Sequence, residues 1–140
     1  MKLKNKVAIV TGGGKGIGEE ISLGLAKEGA KVVVADLDKE NSSNVVKEIV
    51  KNNGDAIYVE TDVSNEASVK NLISETINRF DQIDILINNA GIRHVKKLEN
   101  HDLSDWNDMI SVNLTGPYIC CQAVIPEMKK IGKGKIINFG

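Results

Sequence analysis

Thr11-Gly12-Gly13-Gly14-Lys15-Gly16-Ile17-Gly18 directly follows the apolar run Val7 to Val10 and opens an amphipathic stretch. A strand, a tight turn and a helix N-terminus in that order point backbone N–H groups and the positive end of a helix dipole at one spot, where a phosphate can be held. Glycines at Gly12, Gly16 and Gly18 would keep Cβ atoms clear of a pyrophosphate, so affinity would come from backbone geometry and not from clustered Lys and Arg. The spacing is GxxxGxG, distinct from GxGxxG, and no Lys-Ser or Lys-Thr pair follows as in phosphate-binding NTPases. Alone, such a loop is equally an ordinary tight turn. Further polar groups stand where other apolar runs end, namely Asp36, Asp62-Val63 and Asn88-Asn89-Ala90-Gly91. His94 and His101 lack Cys or His companions at metal-ligand spacing, so structural or surface roles are expected for both and no metal site is expected.

The elements that must position these groups follow from the apolar pattern, in which short runs alternate with helical periodicity along the chain. Strands are expected at Val7 to Val10, Lys31 to Ala35, Ala56 to Glu60, Ile83 to Asn88 and Lys135 to Phe139. The first helix carries Ile17, Ile21 and Leu25 at i, i+4, i+8 and ends at Gly29. A second carries Val45, Val46, Ile49 and Val50 and precedes Gly54. The third carries Val69, Leu72, Ile73, Ile77 and Phe80 on one stripe, with Ser64 as its N-cap. A longer helix is expected from Ser104 to Lys130 with Trp106, Met109, Ile110 and Leu114 on its apolar side, kinked or divided at Pro117. Right-handed crossovers then give an α/β, doubly wound parallel sheet of order 3-2-1-4-5. Ligands bind such sheets outside the carboxyl ends of the strands, where strand order reverses between strands 1 and 4. All four polar motifs fall at carboxyl ends, whereas ordinary surface loops would scatter them over both ends of the sheet.

Composition narrows the possibilities. Residues 1–140 suit one compact domain, and a formal net charge of -1 offers no electrostatic footprint for nucleic acid. The apolar run after the N-terminal lysines is too short for a signal peptide and no run reaches membrane-spanning length, so a cytoplasmic protein without membrane contact is expected. Cys120 and Cys121 are adjacent in an apolar stretch and read as a buried core pair without a disulfide.

Taken together, these motifs resemble the short-chain dehydrogenase/reductase family over essentially the whole chain. The family's TGxxxGIG appears as Thr11 to Gly18, its strand-2 acidic residue as Asp36, its Asp-Val adenine contact as Asp62-Val63 and its NNAG as Asn88 to Gly91. The family's helix-borne asparagine matches Asn113, and Gly134 to Gly140 looks like its fifth strand. The closest general look is that of 3-oxoacyl-carrier-protein reductases and of sugar or polyol dehydrogenases. The resemblance implies a Rossmann dinucleotide-binding domain and hydride transfer between a nicotinamide and a small-molecule alcohol or carbonyl substrate. It further implies cofactor contacts from Gly12, Gly14, Lys15, Gly16, Ile17, Gly18, Asp36, Leu37, Asp62, Val63, Asn89, Ala90 and Gly91. Asn113 would be the catalytic member, organising a proton-relay water. The family's catalytic Ser and Tyr-x-x-x-Lys, which lie beyond the fifth strand, are not among these 140 residues. Tyr58 and Tyr118 have no Lys four positions on. What the resemblance implies is thus the cofactor half of an oxidoreductase, incomplete relative to the family and inactive by itself.

Individual residues admit more than one reading. Asp36 can accept from both adenosine ribose hydroxyls and repels a 2′-phosphate, which favours NAD; Lys15, unless it is a solvated loop lysine, can meet that phosphate, which favours NADP. NAD is expected over NADP. Asp62 is an adenine contact or a strand-end cap. Asn89 to Gly91 would pass along the nicotinamide ribose, while Asn88 serves the sheet by bonding to neighbouring backbone. Asn113 can simply bond to backbone. A sheet ending at the fifth strand exposes an edge, so a homo-oligomer formed through Lys135 to Phe139 or the long helix is expected. The other functional class compatible with the residues is a non-catalytic dinucleotide-binding module that reports redox state or serves in an assembly.

Overall fold

The computed structural model describes residues 1–140. Five strands, β1 (Val7–Thr11), β2 (Lys31–Asp36), β3 (Ala56–Glu60), β4 (Ile85–Asn88) and β5 (Lys135–Asn138), form one parallel sheet of order β3-β2-β1-β4-β5. Helices α1 (Gly16–Lys27), α2 (Lys39–Lys51) and α3 (Glu66–Phe80) connect the first four strands, and α4 (Leu103–Ile110) and α5 (Gly116–Lys130) lie between β4 and β5. The order matches the expectation from sequence. No helix is long and apolar enough to cross a membrane.

Both faces of the sheet are buried, and the pleat divides each central strand between them. Val7 and Ile9 of β1, with Val33 and Ala35 of β2, pack beneath α3 and α5 together with Leu72, Phe80 and Val124. Ala8 and Val10, with Val32 and Val34, pack on the opposite face with Val45 and Ile49 of α2. Each such Val or Ile side chain taken out of water stabilises the fold by about 1.5–3 kcal/mol before entropy is counted.

Several local expectations are corrected. Ile17 is 65% exposed, because α1 lies so close to β1 that only Gly18 and Ser22 fit on its buried line. Val50 on α2 is also exposed. The cap of α3 is Asn65, whose side chain accepts from the Ser68 N–H at 3.0 Å; Ser64 instead donates its hydroxyl to Asp62. The long helix is divided, by a single wide turn over Ser111–Thr115 in which the Gly116 N–H reaches back five residues to the Ser111 carbonyl. Pro117 stands just after this turn, in the first turn of α5, where its missing N–H costs least. Trp106 and Leu114 are exposed, and Asp105 is the buried residue of α4. Cys120 is buried and its thiol is pushed up to about 12 by burial, whereas Cys121 is only half-buried. Ile137 and Phe139, at and just beyond β5, are about half exposed at the sheet edge.

At the amino ends of the strands, Asp84 pins three of them together. Its backbone N–H donates to the Val7 carbonyl and its carbonyl accepts from the Lys135 N–H, while its carboxylate takes the Val7 N–H at 2.9 Å, the Gln82 amide at 2.6 Å and the Lys6 ammonium at 3.1 Å. Burial pushes this carboxyl upward, but those hydrogen bonds outweigh burial and hold it below the usual carboxylate range. A depressed folded pKa stabilises above the unfolded value and is lost as pH falls through the folded one. Asp84→Ala should therefore lose about 1–3 kcal/mol in urea unfolding at neutral pH, since the Val7 N–H is left without its acceptor. The difference from wild type should narrow as pH drops below about 4.

Candidate cofactor site at the carboxyl ends of the strands

The glycine turn is fastened to the end of β4 by one hydroxyl. Thr11, 1% exposed, donates Oγ1–H to the Ile87 carbonyl at 3.3 Å and accepts the N–H groups of Asn89 and Ala90, both at 3.1 Å. The Asn89 amide returns across the gap, donating to the carbonyls of Thr11 and Gly12 at 3.2 and 3.1 Å. Gly12 accordingly adopts φ +61, and a Cβ there would stand 2.9 Å from the Ala90 Cα. The other glycines divide by role. A Cβ on Gly18 would collide with the Gly12 carbonyl, and one on Gly14 with the Ser42 hydroxyl, so these two are needed for packing. Gly16 has φ +56 and open space around its missing side chain. No heavy atom lies within 4 Å of where a Cβ would stand.

A cavity of about 380 Å³ opens at this switch point between β1 and β4. Gly12, Lys15, Asp36, Leu37, Asp62 and Val63 line it, and Asn89, Ala90 and Gly91 close its other side. Nine of the residues expected from sequence thus meet in one depression. Gly14, Gly16, Ile17, Gly18 and Asn113 lie outside its lining. Asp38, Thr61, Ile92 and Val112 line it without having been anticipated. The signal for Thr61 and Asp38 was their position at or just past a strand end; for Ile92 and Val112 no pattern distinguished a cavity wall from an ordinary loop or helix residue.

Asp36 ends β2 with its carboxylate already oriented, Oδ2 accepting from the Gly14 N–H and Oδ1 from the Asp38 N–H, each at 3.0 Å. Each oxygen keeps a second acceptor position free for a ligand hydroxyl. Asp62 uses Oδ1 to accept from the Ser64 N–H at 3.0 Å and the Ser64 hydroxyl at 2.6 Å, so the strand-end turn is present, while its Oδ2 has no protein partner. Val63 is buried against Gly116 at the start of α5.

Asn88 bonds side chain to side chain, donating to the Asn138 amide oxygen at 2.8 Å, rather than to backbone as expected. Asn113 sits in the wide turn between α4 and α5, and both ends of its amide are taken by Ile92. Its oxygen accepts the Ile92 N–H and its nitrogen donates to the Ile92 carbonyl, each at 2.8 Å. This holds the segment after Gly91 against the helix pair. His94 lies beside Asp105 and Asp108 at 3.9 and 3.7 Å, and Lys96 reaches Asp105 at 2.6 Å.

The family model described as short chain dehydrogenase matches residues 6–140. An uncharacterized oxidoreductase of Thermotoga maritima is 43% identical over 137 residues, a match that covers 98% of this chain and 54% of that relative. A 3-oxoacyl-[acyl-carrier-protein] reductase of Synechocystis sp. is 43% identical over 138 residues, covering 98% of this chain and 56% of the relative. Among solved structures, a metagenomic short-chain oxidoreductase in complex with NADP superposes with a TM-score of 0.92 at 33% identity, over 99% of this chain and 63% of that one. The chain spans about half the length of the curated relatives it matches.

The two classes of glycine should separate in mutants. Gly18→Ala drives a Cβ into the Gly12 carbonyl and should lower the midpoint of thermal unfolding by several degrees, at a cost of about 1–3 kcal/mol. Gly16→Val, facing open space, should keep the far-UV circular dichroism of the wild type yet lose dinucleotide binding in a fluorescence titration. Strain at its positive φ should cost only about 1–2 kcal/mol of stability.

Proposed function

The chain belongs to the short-chain dehydrogenase family, and from that premise we propose that it forms the cofactor-binding half of an NAD(P)-dependent oxidoreductase acting on an alcohol or carbonyl substrate. The observation that carries this reading is the convergence of the glycine turn, Asp36, Asp62 and Asn89 to Gly91 on one cavity at the switch point of the sheet. The residues present fit such a cofactor. Asp36 has oriented oxygens with acceptor capacity left for ribose hydroxyls, Asp62 has a free oxygen for an adenine amino group, and the space a side chain would fill at Gly16 is empty, as a pyrophosphate held by this turn would need. The bound nicotinamide would supply the hydride chemistry.

The protein's own contribution is orientation. Thr11 and Asn89 fix the distance between the phosphate turn and the β4 loop, and Asn113 holds Ile92 so that Gly91 keeps its place in the cavity wall. Proton transfer has no evident donor among these residues. Tyr58 donates its hydroxyl to the Asp36 carbonyl and is held above its usual pKa by burial and by the nearby Glu60 and Asp36 charges, so it stays neutral. Tyr118 is exposed and precedes Gln122 at the fourth position.

NAD is proposed as the preferred cofactor because Asp36 offers acceptors and negative charge where NADP carries its 2′-phosphate. The NADP bound in the metagenomic relative and the position of Lys15 at the cavity support the opposite preference. Fluorescence titration should show NADH bound more tightly than NADPH by roughly ten- to hundredfold, the worth of one or two ribose bonds at about 1.4–3 kcal/mol. Asp36→Ala should erode that ratio, and equal affinities in the wild type would overturn the assignment of Asp36. The 140-residue polypeptide should show no NADH oxidation above background with a panel of ketones and 3-oxoacyl thioesters. Reproducible turnover by pure material would mean that another residue moves the proton.

A further inference from the structure

We propose that His94 is a proton-operated clamp, which when charged bridges Asp105 and Asp108 of α4 and fastens the segment leaving the cavity wall, and when neutral releases it. The inference concerns residues 92–101, between the β4 loop and α4, and does not depend on what the cavity holds. Apolar burial does little to hold this segment in place, since Val95 and Leu98 are 84% and 86% exposed. Its attachment is polar instead. Asn113 takes both backbone groups of Ile92, Lys96 reaches Asp105 at 2.6 Å, and the His101 ring meets the Lys96 carbonyl at 3.1 Å. His94 stands between these points, its Nδ1 3.9 Å from Asp105 Oδ1 and its Nε2 3.7 Å from Asp108 Oδ2.

The surroundings of the ring suit only its charged form. A neutral imidazole has one nitrogen that donates and one that accepts. Here both nitrogens face carboxylate oxygens, so in either tautomer the accepting nitrogen meets another acceptor. Nε2 is moreover buried without a hydrogen-bond partner. The imidazolium donates from both nitrogens, and a movement of about 1 Å brings each to the roughly 2.7–2.9 Å of a charge-assisted bond. The charged groups facing the ring are the two carboxylates from α4 and, from its own segment, Lys96, which shares Asp105; Asp102, at the start of α4, gives its N–H to Asp105 as well. Lys96 and then the Asp102 backbone hold the Asp105 carboxyl below the usual carboxylate range, and a charged His94 acts in the same direction. Asp105 is therefore ionised wherever histidine titrates. Without the proton on His94, Asp105 keeps Lys96, but Asp108 has no other ion pair. The clamp is accordingly made at mildly acid pH and lost as pH rises through the ordinary histidine range, between about 5 and 8.

The test is the exchange rate of the Lys96 N–H, which donates to the His94 carbonyl, followed by NMR solvent exchange on the ¹⁵N-labelled chain and corrected for the intrinsic rate. Between pH of about 5.5 and about 8, protection in the wild type should fall roughly fivefold, the upper end of what partly exposed ion pairs supply. His94 and His101 are the two histidines. His101→Gln should keep the step, whereas His94→Gln should abolish it and leave protection at its high-pH level throughout. Asp108→Asn, a change at an exposed side chain, should cut the step to about twofold or less. Unaltered exchange of the β1 amides in each variant would show the sheet intact. A flat wild-type profile, a step that survives His94→Gln or disappears in His101→Gln, or an undiminished step in Asp108→Asn would overturn the clamp.

Discussion

The site depends on the bonds made by the Thr11 hydroxyl. It lies at the carboxyl end of β1, buried, where the sheet reverses its winding and two adjacent strands send their loops to opposite sides. A crevice must open at such a point because no crossover covers it. Thr11 limits the opening by giving one hydrogen to Ile87 and taking two N–H groups from Asn89 and Ala90. With the Asn89 amide bridging back, the glycine turn and the β4 loop become one rigid unit. Buried hydroxyls with all their bonds made specify geometry more than they add stability.

The remaining features extend that unit outward. Close approach of α1 to β1 is possible only because Gly18 and Ser22 occupy the contact line, and it brings the N-terminus of α1 to the mouth of the turn. Asp36 ties the turn to β2 through the Gly14 N–H, and Asp38 carries the connection into α2. On the opposite side, the wide turn before Pro117 lets Asn113 reach Ile92 across the loop. An unbroken α-helix through this region would place the same residue at a different angle. At the far end of the sheet, Asp84 performs the equivalent task for β1, β4 and β5, so the central strands are fastened at both ends.

Much of this was legible in the sequence, and the failures have physical causes. Apolar runs and glycine-marked helix ends set out five strands and their order, because a parallel sheet buried on both faces leaves continuous rather than alternating hydrophobicity. That same continuity hides which residue faces which core. Ile17 read as core by its spacing with Ile21 and Leu25, yet close helix-to-strand contact favours small side chains, and Gly18 and Ser22 were the better signal. Ser64 and Asn65 are both capping residues, and adjacency in sequence could not decide between them. Asp36, Asp62 and Asn89 were visible as polar groups at strand ends. Thr11 and Asp38 were not distinguished, since their importance arises only when β1, β4 and α2 are placed side by side. Asn113 was found through family resemblance; its bonds to Ile92 depend on a backbone widening whose sequence mark is Pro117.

The most direct measurement of the central claim, that one preassembled crevice at the β1–β4 switch point holds a dinucleotide, is an NMR titration of the ¹⁵N-labelled chain with NADH. Amide resonances of Gly12 to Gly18, Asp36 to Asp38, Asp62, Val63 and Asn89 to Ile92 should shift together and saturate with a single affinity. The groove at the opposite end of the sheet, lined by Leu23, Lys27, Asn52 and Asp55, should remain unmoved. Shifts centred on that groove, or scattered without saturation, would contradict the assignment.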